Sequence, residues 1–193
     1  MTEYPARVDQ IAEYLDLAAL EAGLAHVRAA PADRGVLELI VRRPAIDERE
    51  ELDEAVLDLA TGLVGDTWPQ RPSKSMPDGS PDPAAQLTVM NVRMAALVAG
   101  SPERRRLAGD QLFVDLDLSI ANLPAGARLA IGDAVIELSA KPHTGCAKFT
   151  ARFGLEATRF INSPEGRELR LRGANARVLV PGAIRRGDEV RKL

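Results

Sequence analysis

The 193-residue sequence contains one cysteine, and that residue is the strongest candidate for chemistry. Cys146 stands in Lys141-Pro-His-Thr-Gly-Cys-Ala-Lys-Phe149, after a strand-like segment and before helix-forming residues from about Ala147 through Arg152. That context puts the thiol at or near a helix N-terminus, where the partial positive charge favours a thiolate. Lys148 and His143 are close enough in sequence to add to the effect. A thiolate is what a soft metal ligand, a nucleophile or a persulfide carrier each requires. The plainer alternative is a buried structural cysteine, because free cysteine is among the most buried residue types.

Other constellations are weaker. His143 and Cys146 have the H-x-x-C spacing of half a zinc site, but a zinc site takes three or four protein ligands. The only other histidine, His26, lies far away in sequence, so carboxylates would have to complete the set. A Cys–His hydrolase pair has equally little support, since such partners normally meet from distant segments. Four Gly-Asp dipeptides, at 65–66, 109–110, 132–133 and 187–188, read as turns. No phosphate-binding glycine fingerprint of the P-loop or Rossmann kind is present, which argues against a nucleotide enzyme of those classes.

Charge is divided along the chain. Residues 1–66 hold 15 acidic and 6 basic side chains, whereas residues 141–193 hold 12 basic and 5 acidic ones, within a net charge of −3. The C-terminal part therefore suits an anion. Aromatic residues are only 4% of the chain and do not interleave with the basic ones, so a small phosphorylated ligand fits better than nucleic acid. The plainer reading is that Arg167, Arg170 and Arg172 sit on the solvent face of a strand.

The elements that must position these residues are mostly strands. The composition, 46% hydrophobic and 27% charged, is that of a globular chain, and the length fits one domain. A lone cysteine, a start without a secretory pattern and the lack of a long apolar run favour the cytoplasm and exclude a membrane-spanning helix. Val8, Ile11, Ala12, Leu15, Ala18 and Ala19 predict an amphipathic helix from Tyr4 to about Ala29. Gly35–Arg42 reads as a strand; Leu52, Ala55, Val56 and Leu59 fall at helical spacing. Residues 69–83, with five prolines, read as an exposed loop. Beyond it, Gln86–Met90 predicts a strand, Val92–Val98 a helix, Ser101-Pro102 a helix start, and Leu112–Leu118 a half-buried strand. Leu129–Ile131 and Ala134–Leu138, joined by Gly132-Asp133, predict a tight hairpin, and Arg177–Val180 and Glu189–Lys192 predict two more strands. Many short strands punctuated by glycine turns point to a barrel or closed sheet.

Five segments also resemble, in order, the motifs of the MOSC domain family, the molybdenum cofactor sulfurase C-terminal domains. They are Gly62-Leu-Val-Gly-Asp-Thr-Trp68, Arg106-Leu-Ala-Gly-Asp-Gln-Leu112, Asp115-Leu-Asp-Leu-Ser-Ile-Ala-Asn-Leu-Pro124, the cysteine segment 141–149, and Leu171-Arg-Gly173 through Pro181-Gly182 to Gly187-Asp188. The resemblance covers about residues 35–192 and is to a stand-alone, bacterial-type member. It implies a mainly β, barrel-like MOSC fold with a few peripheral helices; the N-terminal helix lies outside the match, so the chain divides into an N-terminal helical extension, 1–30, and a MOSC domain, 31–193.

The resemblance further implies that Cys146 ligates the molybdenum of a molybdenum–molybdopterin cofactor. Lys148, Arg152 and Arg172 become candidates for the pterin phosphate, with His143 beside them, and Asp110 and Asn122 match family positions as ligand contacts or turn residues. The implied function is a molybdenum-cofactor-binding protein, a reductase of N-hydroxylated or related small compounds; the alternative is a sulfur (persulfide) carrier or a cofactor-binding module without turnover. Its partners would be a small molecule with an anionic group and, for a reductase, a separate electron-donor protein, with no nucleic acid or membrane. The chain has no cysteine set for an iron–sulfur cluster and no segment resembling an aminotransferase-like domain, so pyridoxal phosphate is not supported.

Overall fold

A computed structural model describes residues 14–193. Of the helix expected from Tyr4 to about Ala29, residues 4–13 lie outside the described residues and residues 14–16 are not helical; α1 (Leu17–Arg28) starts where the Asp16 carboxylate accepts the Ala19 N–H at 2.8 Å, an N-cap.

Seven strands close a barrel: β1 (Arg34–Arg42), β5 (Leu87–Asn91), β6 (Leu112–Asp115), β7 (Arg128–Ile131), β8 (Ala134–Leu138), β9 (Ala174–Val180) and β11 (Glu189–Lys192). Their order is β11-β7-β8-β9-β5-β6-β1, and pairing of Gly35 with Val190 joins β1 back to β11. Only β5 and β6 run parallel; every other barrel pair is antiparallel. A short β2 (Glu50–Leu52) pairs antiparallel with the end of β1. A second sheet, order β10-β3-β4, is made of β3 (Glu54–Asp58), β4 (Gly62–Leu63) and β10 (Gly182–Arg185).

Alternating side chains divide the core into two layers. Leu37, Ile40, Leu87, Val89, Leu112, Val114, Ile136 and Val190 fill the barrel. Leu39, Val41, Met90 and Phe113, from the same strands, point outward beneath α1, α2 (Val92–Ala99) and α3 (Ala147–Asn162). A register shift between Leu37 and Leu39 switches β1 from one face to the other, as a bulge does. Full burial of such a side chain stabilises by about 1.5–3 kcal/mol, against about 0–1 kcal/mol for an exposed ion pair, so these two layers hold the fold.

Several sequence expectations need correction. Residues 50–58 form strands β2 and β3, not a helix: Ala55 and Leu57 are buried while Val56 is exposed, a period of two that a short apolar run also fits. The segment after Ser101 is a 3-10 helix, Pro102–Ala108, and the Ser101 side chain makes no cap bond. Strand β6 is covered on both faces, with Phe113 under the helices, so it is not half-buried. Arg167 lies on α4 (Pro164–Glu168), and Arg170 and Arg172 lie in the turn after it, not on a strand. Pro181-Gly182 leads straight into β10, which has no counterpart among the expected strands.

The hairpin around Gly132 forms as expected. Gly132 has φ 53°, and a side chain there would fall 2.7 Å from the Ala183 carbonyl oxygen. The helix after Cys146 is longer than expected and breaks at Gly154, where φ is 88°. Its first half ends there, and the Tyr14 ring packs where a β-carbon would otherwise stand.

Candidate functional site

Cys146 is the N-cap residue of α3 and is exposed. An N-cap side chain usually accepts an N–H from the first turn, but that of Cys146 makes no such bond, so the sulfur is left facing outward. The segment before it is held by two asparagines from the layers behind. Asn175 on β9 donates to the Lys141 and Pro142 carbonyls at 3.1 and 3.2 Å, and Asn162 at the end of α3 accepts the Gly145 N–H at 3.0 Å. Nearby, Lys141 is tied by Asp82 and Ser75 to the proline-rich loop. Salt-bridging by Lys141 leads the causes that hold the Asp82 carboxyl down at about 2.

The thiol borders a cavity of about 550 Å³. Six cations line it: Arg43, Arg49, Arg71, Lys148, Arg152 and Arg172. Three carboxylates oppose them. Asp66 grips Arg43 through two side-chain bonds of 2.7 and 2.8 Å, and Asp110 meets Arg172 at 2.6 Å; all four side chains are buried. Asp47 lies on the surface with φ 61° and bridges Lys148 at 3.0 Å and Arg152 at 3.3 Å. Lys148 is the leading cause of its carboxyl lying below the usual carboxylate range.

Positive charge is therefore in surplus. Burial, followed by Arg152, Arg43 and Arg71, pushes the Arg49 guanidinium down to about 10. Burial and Arg43 lower Arg71 as well. The buried Nε atoms of Arg49 and Arg172 have no hydrogen-bond partner among the described residues. Orphaned guanidinium nitrogens in a cationic pocket fit an anionic ligand, which would satisfy both the donors and the charge.

The structure brings Cys146, Lys148, Arg152 and Arg172 to one cavity and places the other named residues differently. Asp110 is fully buried behind Arg172 and does not line the cavity. His143 faces the other way, with Nδ1 toward Asp110 Oδ1 at 3.4 Å. Burial, then Arg172, pushes its imidazole down to about 4, so it is neutral near pH 7 and adds no positive charge at the thiol. Asn122 lies in a distant turn, donating to the Ala32 and Asp117 carbonyls at 2.8 Å and accepting from Lys192 at 3.0 Å. Among the described residues no three His, Cys, Asp or Glu side chains gather as a metal cage, which leaves zinc without a donor set.

Sequence reasoning passed over Arg43, Arg49 and Arg71, half of the cavity's cations. The first two lie in the acidic part of the chain, so regional charge pointed away from them. A signal was present in the Gly-Asp dipeptides: those at 65–66 and 109–110 supply the two buried carboxylates that hold Arg43 and Arg172.

The sequence matches the MOSC domain family over residues 88–191, more than half of the chain. Comparison with curated proteins gives no match. Among solved structures the chain is similar to the YuaD protein from Bacillus subtilis, with a TM-score of 0.57 and 17% identity, over 81% of this chain and 94% of that one. It is also similar to YiiM from Escherichia coli, with a TM-score of 0.52 and 18% identity, over 82% of this chain and 69% of that one. YiiM from Geobacillus stearothermophilus gives a TM-score of 0.52 and 13% identity, over 84% and 73%. At these identities the structural likeness is one of fold. Together with the family match over β5 to β11 and the closed barrel, it has a single reading: the chain belongs to the MOSC domain family.

Proposed function

We propose that the cavity holds the phosphate-bearing end of a molybdenum–molybdopterin cofactor and that the Cys146 thiolate ligates the metal. One observation carries this reading: an exposed thiol at the rim of a cavity whose six cations outnumber three carboxylates. A phosphate monoester, at about −1.5 to −2 charge near pH 7, answers that surplus and supplies acceptors for Arg49 and Arg172. Lys148 and Arg152 would hold it from α3, Arg49 and Arg71 from the facing loops, and Arg172 from its place beside Asp110. When bound, the group would supply two-electron redox chemistry at the metal.

The chain's own residues supply the setting. Asn162 and Asn175 fix the segment that carries the thiol, and Asp47 limits how far Lys148 and Arg152 move. In the reaction this reading favours, an N-hydroxylated compound gains two electrons and two protons, loses water and leaves as its N–H product. The electrons come from a separate donor protein. The lone cysteine suits work in the cytoplasm, where thiols stay reduced.

The exposure of the thiol also favours a second reading, in which Cys146 carries a persulfide and no turnover occurs. Metal and pterin analysis of protein made in a cofactor-competent host, with a persulfide-specific label run in parallel, tests both. The first reading expects about one molybdenum per chain, lost in Cys146→Ser with the melting temperature of the metal-free protein nearly unchanged. Protein that holds neither metal nor pterin under those conditions overturns it, and a label confined to Cys146 in that protein supports the second.

A further inference from the structure

A second cavity, of about 210 Å³, lies on the other side of the 141–146 segment. It is lined by Lys141, His143, Arg167, Arg170 and Arg172, together with apolar Ile120 and Ile161, and among the described residues no carboxylate lines it. Lys141 and Arg172 already have carboxylate partners in Asp82 and Asp110. Arg167 and Arg170 have none among the described residues: Arg167 donates to the Asn162 carbonyl at 3.0 Å, and Arg170 to the carbonyls of Leu118 and Leu123. Two guanidinium charges therefore border a small cavity with no carboxylate partner among the described residues.

His143 gives that space a direction. Its Nδ1 is buried 3.4 Å from Asp110 Oδ1, with no hydrogen bond between the two atoms, and the nearby carboxylate favours the neutral tautomer that carries its proton on Nδ1. The side chain keeps 16% of its surface exposed and lines the cavity, and in that tautomer Nε2 is the ring's acceptor. An acceptor beside two uncompensated arginines selects a ligand with complementary groups: an oxygen anion and, next to it, a donor O–H. The small volume suits a ligand of a few heavy atoms.

We propose that this second cavity is a binding site for a small oxyanion carrying its own hydroxyl, of the 2-hydroxycarboxylate or monohydrogen phosphate type. Arg167 and Arg170 take the anion, and His143 Nε2 accepts the hydroxyl proton in a hydrogen bond. The site has its own lining apart from one residue shared with the thiol cavity. Arg172 belongs to both walls, so an occupant of one is in contact with a residue of the other.

The test is titration of the full chain with glycolate, acetate, inorganic phosphate and chloride, read by calorimetry and by the His143 ring carbon–proton NMR signals. Glycolate and phosphate are expected to bind and shift those signals, acetate to bind at least tenfold more weakly, and chloride not to compete at equal ionic strength. Arg167→Ala, an exposed position, should weaken glycolate at least tenfold, and Cys146→Ser should leave it unchanged. His143→Phe, which keeps the ring volume, should abolish the preference for glycolate over acetate. The proposal fails if glycolate and phosphate leave the His143 signals unmoved, if Arg167→Ala binds as the parent does, or if Cys146→Ser removes binding. It fails equally if a natively folded His143→Phe protein keeps the preference. Should that variant not fold, Arg167→Ala and the His143 signals of the parent decide the matter.

Discussion

Asp110 and Arg172 meet at 2.6 Å with both side chains buried, and this pair stands between the two cavities. Arg172 also lies over the Phe149 ring, 5.2 Å from its centre, and donates to the Ala108 carbonyl at 3.0 Å. Removing one member of a buried pair leaves the other charged in a poorly solvated place, at about 3–5 kcal/mol. Asp110→Ala is therefore expected to cost that much in urea unfolding at pH 7. The double variant Asp110→Leu/Arg172→Met should recover most of the loss, because it removes both charges. A single variant that costs under 1 kcal/mol would show that the pair is well hydrated.

His143 gives the protein an acid-side stability slope. Its folded value is about 4, below the ordinary 6.5, so between these values the unfolded chain binds more protons at this site. The stability it contributes is therefore complete above about pH 6.5 and is lost as pH falls toward 4, by up to about 3 kcal/mol. Asp110 acts against the shift, while Arg172 and Arg43 act with the burial that causes it. His143→Gln should unfold with a shallower pH dependence between 6.5 and 4 than the parent. Parallel profiles across that window would show that the ring is open to protons.

Arg49 is a cation the fold holds at a cost. Burial and its arginine neighbours oppose its charge, and its Nε has no partner among the described residues. Arg49→Met is expected to raise the melting temperature of the ligand-free protein, or leave it unchanged, while weakening phosphate-ester binding in the thiol cavity about tenfold or more. Such opposition between stability and binding is common at functional sites. A variant that loses stability would show that Arg49 is structural.

The division at residue 30 is testable by truncation. We propose that residues 31–193 fold as a barrel without the preceding helix. However, Leu20 and Val27 of α1 are buried in the outer layer, so the shortened protein should melt cooperatively but at a lower temperature. Leu20→Ala in the full chain should cost about 2–5 kcal/mol, as truncation of a fully buried leucine does. Aggregation of the shortened protein would make α1 an integral part of the domain.

What the sequence determined by itself was local. The Gly132-Asp133 turn, the strands at β1, β5, β7, β8, β9 and β11, helix α2 and the start of a helix at Ala147 all follow from spacing and from glycine placement, which depend on near neighbours in the chain. Family motifs then placed the lone thiol of Cys146 among arginines. Tertiary structure decided the rest, because charge in a pocket is a property of segments that meet in space. Arg43, Arg49 and Arg71 reach the cavity from the acidic part of the chain and its following loop, and two Gly-Asp turns became the buried anchors of Arg43 and Arg172. His143, three residues from the cysteine, has Nδ1 3.4 Å from buried Asp110 and lines a different cavity. Strand β3 was lost to a helical reading because a five-residue apolar pattern fits both periods, and only its pairing with β10, 131 residues away from Glu54 to Arg185, settles which one forms.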